Sequence, residues 1–118
     1  MEEHRSWKNR LDDNTDEEIK DAFRLAKTAQ TDRCAISVLP GLRGVAIPTA
    51  SAILTAIDQS RYTVIDYRAL ESLGIECAPC TVGLYARYLA FCRAEAARAG
   101  MSLRDFDRAL WMHSKNSN

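Results

Sequence analysis

Asp66 is the residue of this 118-residue chain whose setting in the sequence points most directly to chemistry. It follows an aliphatic pair, Val64-Ile65, and lies 17 positions beyond Thr49, with the apolar run Ala50, Ala52, Ile53, Leu54, Ala56, Ile57 between. A carboxylate fixed beside a reaction centre stabilises developing positive charge and can orient a water molecule. Upstream stands Leu42-Arg43-Gly44-Val45-Ala46-Ile47-Pro48-Thr49-Ala50, a glycine-bearing turn that leads into a helix start. Backbone N–H groups at such a start, with the positive end of the helix dipole, favour an anion such as a phosphate oxygen. Gly44 lets the backbone approach closely, although Ala46 carries a methyl group nearby. Pro48 has no nucleophilic side chain, and no lysine occurs between Lys27 and Lys115, so this stretch offers no amine for covalent catalysis. Asp66 also has a purely structural reading, as the N-cap of a helix opening at Tyr67-Arg68-Ala69-Leu70.

The turn, the apolar run and the Asp together resemble the signature of the helix-hairpin-helix DNA glycosylase superfamily, which includes endonuclease III, adenine glycosylase and 8-oxoguanine glycosylase. Those proteins read Leu-Pro-Gly-Val-Gly-x-Lys-Thr-Ala, an apolar helix, an aliphatic pair and an Asp, and this chain aligns with them without a gap over about 30 residues. The resemblance implies a reduced member of that superfamily and duplex DNA as partner, held weakly by its phosphates. It implies that Arg43, Gly44, Val45, Ala46 and Thr49 form the hairpin contact and that Asp66 is the catalytic aspartate. With Pro48 in the place of the superfamily's Schiff-base lysine, any activity is expected to be monofunctional base excision without strand cleavage. The alternative is a non-catalytic DNA-binding or protein-interaction module that keeps the same fold, which leaves a protein partner open.

Sixteen basic and sixteen acidic residues cancel, which counts against binding nucleic acid by bulk charge. The balance is uneven. Residues 81–118 carry six Lys/Arg and three Asp/Glu, a local net of +3, whereas residues 1–33 carry seven against nine. Arg104, Arg108 and Lys115 fall near one face of the last helix beside Trp111 and Met112, a pattern suited to tracking a phosphate backbone.

The elements that must position these residues are helical nearly throughout. Thr15-Asp16-Glu17-Glu18 is a capping box, followed by Ile19, Phe23 and Ala26 at helical spacing. Thr31-Asp32 opens a second helix that Pro40-Gly41 ends, and Pro48 suits a helix's first turn. Tyr62-Thr63-Val64-Ile65 reads as extended but too short for a sheet. A long helix is expected from Thr81 or Val82 to Ala99, with Gly100 as its stop, and a last one from Leu103 to about Ser114, with Leu103, Phe106 and Leu110 inward. The expectation is an all-α domain of about five to six helices containing a helix-hairpin-helix motif over residues 15–115, preceded by a flexible segment, residues 1–14.

No apolar run approaches a membrane span, and the polar N-terminus suggests a cytoplasmic location. Cys34, Cys77, Cys80 and Cys92 are then expected to be free thiols. One close pair, Cys77-Ala78-Pro79-Cys80, falls short of the two pairs that usually make a zinc site, so neither metal nor cofactor is expected.

Overall fold

The computed structural model of the chain describes residues 13–66, 70, 73–74 and 80–117, and five α-helices lie among them. Helix α1 spans Asp16–Thr28, α2 Asp32–Val38, α3 Ile47–Ile57, α4 Val82–Ala99 and α5 Leu103–Ser117, with a 3₁₀ turn, Leu39–Gly41, directly after α2. No strand occurs among the described residues, as expected of an all-α domain.

The helix ends follow from local chemistry. Thr15 Oγ1 accepts the Glu18 N–H at 3.0 Å and Glu18 accepts the Thr15 N–H at 2.8 Å, which completes the capping box of α1. Thr31 caps α2 and Thr81 caps α4 in the same way, each accepting the N–H three residues on. Gly100, at φ +70°, closes α4 in the left-handed conformation that lets its N–H turn back to the last carbonyls. Helix α5 runs three residues past its expected end at Ser114, since Lys115-Asn116-Ser117 contains no glycine or proline to stop it.

Ile36, Leu39, Leu54, Ile65, Tyr85 and Leu89 are fully buried, so one core joins α2, α3, α4 and the segment that leads to Asp66. Helix α1 packs through Ile19, Ala22, Ala26 and Ala29. This stripe of mostly small residues brings α1 close and leaves Phe23, expected inside, 36% exposed at its edge. Asn14, which the sequence places in a poorly patterned segment, is buried, with its side-chain amide bound to Arg43. Of the short helix expected after Asp66, Leu70 is buried, its N–H bonds the Asp66 carbonyl at 3.1 Å, and Gly74 has φ +72°. Residues 1–12, Tyr67, Arg68, Ala69 and Cys77 lie outside the described residues.

Candidate functional site

The segment 62–66 belongs to no helix and pairs with no strand, so its backbone must find partners elsewhere. Helices on two sides supply them. From α3, the buried Ser51 hydroxyl donates to the Pro48 carbonyl at 2.7 Å and accepts the Ile65 N–H at 2.9 Å. From α4, Tyr85 donates its hydroxyl to the Thr63 carbonyl at 2.9 Å, and Tyr88 donates more loosely to that of Val64, at 3.5 Å. Burial raises the pKa of both tyrosines, so both remain neutral donors.

A polar clamp fixes the upstream end of the same segment. Arg93 of α4 grips the Asp32 carboxylate with two nitrogens, at 2.6 and 3.3 Å, and donates twice to the Arg61 carbonyl, at 3.1 and 2.6 Å. Arg61 itself reaches Asp32 at 3.1 Å and lies over the Tyr62 ring. Hydrogen bonding from Arg93 holds the Asp32 carboxyl below its ordinary range despite partial burial, and the charges of Arg93 and Arg61 add to the effect.

Held in this way, the segment presents Val64 and Asp66 to an open cleft of about 590 Å³, whose far wall is Asp107, Arg108, Trp111 and Met112 of α5. Trp111 and Met112 keep 40% and 46% of their surface exposed, so the wall offers apolar area that the protein itself does not cover. Asp107 is half-buried. Burial pushes its carboxyl above the ordinary range, against the hydroxyl of Thr63, and the neighbouring Asp66 pushes it further while Arg104 opposes. Thr63 Oγ1 is buried and makes no hydrogen bond of ordinary geometry among the described residues; the carboxyl group within its influence is that of Asp107.

The site residues expected from sequence therefore divide into two groups. Asp66 and Arg108 meet in the cleft, Arg104 acts electrostatically on Asp107, and the Lys115 ammonium lies 4.9 Å from the centre of the Trp111 ring. Arg43, Gly44, Val45, Ala46 and Thr49 do not line the cleft; the first four lie in the turn that leads into α3, and Thr49 is in the first turn of α3 itself. There Gly44 has φ +84°, Val45 is buried, and Ala46 and Thr49 are exposed. Ala46 supplies no side-chain cap at the start of α3. Arg43 forms ion pairs with Asp13 at 3.1 Å and Glu18 at 3.7 Å, so acidic groups already surround the cation nearest this turn.

Asp107, Thr63 and Ser51 were not identified from the sequence. For Asp107 a signal existed: it lies four residues after Leu103 and three before Leu110, on the inward stripe of α5, where an acidic residue needs a reason.

Cys34 is exposed and free, and Cys92 is buried and free, its thiol pushed up to about 12 by burial. Cys80 is disulfide-bonded, which corrects the expectation of free thiols throughout. Among the described residues no group of three or more His, Cys, Asp or Glu is placed to hold a metal ion, and no helix is long and apolar enough to cross a membrane. Comparisons with protein-family models, with curated proteins and with solved structures find no match to this chain.

Proposed function

We propose that the protein binds duplex DNA and excises a base from it as a monofunctional N-glycosylase, with Asp66 as the catalytic carboxylate. The observation that carries this reading is the position of Asp66 in an open cleft whose opposite wall holds Trp111 and Met112. A nucleotide turned out of the duplex needs a pocket that stacks its base on apolar or aromatic side chains. It also needs a negative charge beside the sugar, where cationic character grows as the bond to the base breaks. Arg108 at the cleft and Arg104 and Lys115 on the same helix supply cations for the flanking phosphates. The start of α3, behind Gly44, where Ala46 offers no side-chain cap, supplies a second phosphate contact. No lysine is among the described residues that line the cleft, which favours hydrolysis over covalent chemistry through an amine.

The test is base release from duplex oligonucleotides that carry a panel of damaged bases. Wild-type protein is expected to leave abasic sites that break only after alkali. Asp66→Asn is expected to abolish release while DNA binding persists. Covalent trapping of protein on DNA by borohydride would show a nucleophilic amine and overturn the hydrolytic assignment.

One observation favours the second reading, a non-catalytic DNA-binding or protein-interaction module. The pairing of Arg43 with Asp13 and Glu18 withdraws a cation from the turn that would meet a phosphate. Lack of any duplex binding at low salt would select the protein-interaction form of that reading.

A further inference from the structure

The cleft contains a second carboxyl group that the preceding account does not use. Asp107 lines it together with Asp66, one from α5 and the other from the end of the segment 62–66, near enough for the Asp66 charge to act on Asp107. Around Asp107 stand Arg104 and Arg108 on its own helix, Tyr88 and Cys92 on α4, and Thr63 and Asp66 on the segment 62–66. A half-buried carboxyl group beside another carboxylate in a partly apolar cleft holds its proton longer than one in water. The burial of Asp107 and the charge of Asp66 both favour Asp107 as that group. Beneath it lies the buried Thr63 hydroxyl, without a bond of ordinary geometry among the described residues, which is suited to support the carboxylate that remains once the proton has left.

We propose that Asp107 is the general acid of this site, donating its proton to the departing base, and that the substrate is accordingly a DNA nucleotide whose damaged base is uncharged. The proposal rests on the base-excision reading. In the step, the bond between the sugar C1′ and the base nitrogen breaks and its electron pair goes to the base. The Asp107 proton passes to a ring nitrogen or carbonyl oxygen of the base, which leaves neutral. Water adds its oxygen to C1′ and gives up a proton to solvent, by way of the Asp66 carboxylate, and Asp107 regains a proton from solvent. A neutral base leaves as an unstable anion unless this proton arrives. A cationic base, such as a 7-alkylated guanine, leaves neutral without it, so the acid matters for one class and not for the other.

The experiment compares the full chain and its Asp107→Asn variant on duplexes carrying hypoxanthine or 8-oxoguanine, which are uncharged, and 7-methylguanine, which is cationic. The variant is expected to lose about 100-fold or more on the uncharged base, the range in which general acids act. It is expected to stay within about threefold of wild type on the cationic base and to bind both duplexes as wild type does. Wild-type release of the uncharged base should fall as pH rises through the Asp107 titration, and the variant should lack that limb. Equal losses on both bases, or no loss on the uncharged one, would overturn the role of Asp107 while leaving base excision standing. Release of the cationic base alone by wild type would overturn the substrate class. Wild-type protein that releases neither would overturn the base-excision reading and this proposal with it. A readout independent of activity is the carboxyl ¹³C titration of the full chain. Asp107 is expected to retain its proton above the ordinary aspartate value of 3.8, and titration at or below that value would overturn the proposal.

Discussion

The hydroxyl of Ser51 accepts the N–H of Ile65 at 2.9 Å, so helix α3 holds the backbone one residue before Asp66. Both groups are buried, and the same hydroxyl is anchored to its own helix through the Pro48 carbonyl. A short polar side chain in an apolar helix therefore ties the first turn of α3 to the segment that carries the carboxylate. Ser51→Ala leaves the Ile65 N–H buried without a partner and is expected to cost about 1–3 kcal/mol. Urea denaturation measures it, and a loss below about 0.5 kcal/mol would show that the bond carries no weight. Because the tie also positions Asp66, base release should fall more than DNA affinity does.

The Asp32–Arg93 clamp sets an acid limit on stability. The Asp32 pKa is lowered in the folded chain. Its contribution is therefore present above the ordinary value of 3.8 and is lost as pH falls through the depressed folded value. Arg93 is 37% exposed, so solvent weakens the pair, and Arg93→Met is expected to cost about 1–2 kcal/mol at neutral pH. The difference in stability between wild type and Asp32→Asn should hold above that range and shrink below it in denaturation curves taken at several pH values. A difference that stays constant down to pH 2 would exclude the linkage.

Asp107 carries the opposite sign. Its folded pKa is raised, so its contribution is fully present below the unfolded value of 3.8 and is lost as pH rises through the folded one. Above the folded pKa the charged, half-buried side chain costs stability. Asp107→Asn should raise the thermal midpoint, by an amount equivalent to no more than about 1 kcal/mol because water reaches part of the group. A more stable variant that has lost activity on an uncharged base would be the trade expected of a functional residue. A destabilised variant would mean that the carboxylate has a structural partner.

Gly44 adopts φ +84°, a conformation that L residues rarely take. Gly44→Ala is expected to cost about 1 kcal/mol through backbone strain. If the α2–α3 turn meets phosphate, the variant should also weaken duplex binding at low salt. Arg108→Ala and Lys115→Ala should each weaken binding across sequences and lower the salt dependence by about one phosphate contact. Unchanged salt dependence in these variants would remove α5 from the DNA interface.

What the sequence revealed and what it hid divide along the distance between interacting residues. The caps at Thr15, Thr31, Thr81 and Gly100 were legible because a cap is a contract among neighbours within one helical turn. That Tyr62-Thr63-Val64-Ile65 joins no sheet was legible from its shortness. Asp66 was legible as a candidate, since its offset from the turn is a property of one continuous stretch. Its neighbours in the cleft were not. Ser51 reads as one more small residue in an apolar helix until the fold brings Ile65 to it. The grip of Arg93 on Asp32 joins residues that no local pattern relates. The outward turn of Phe23 depended on Ala22 and Ala26 fitting closely against the core, which is a matter of shape rather than hydrophobicity.

One consequence follows from how the segment before Asp66 is fastened. Tyr85 and Tyr88 hold the Thr63 and Val64 carbonyls, and Ser51 holds the Ile65 N–H; none of the three bonds uses a side chain of the segment. Position 64 contributes only its carbonyl, which every residue type carries, so the fastening is indifferent to what stands there. Val64, half-buried, turns its side chain to the cleft while its carbonyl is gripped from behind. The scaffold and the fit of the pocket can thus drift independently: exchanges at this one position reshape the wall that meets a ligand while the carboxylate stays in register, a route by which such a domain acquires new selectivities without first losing its fold.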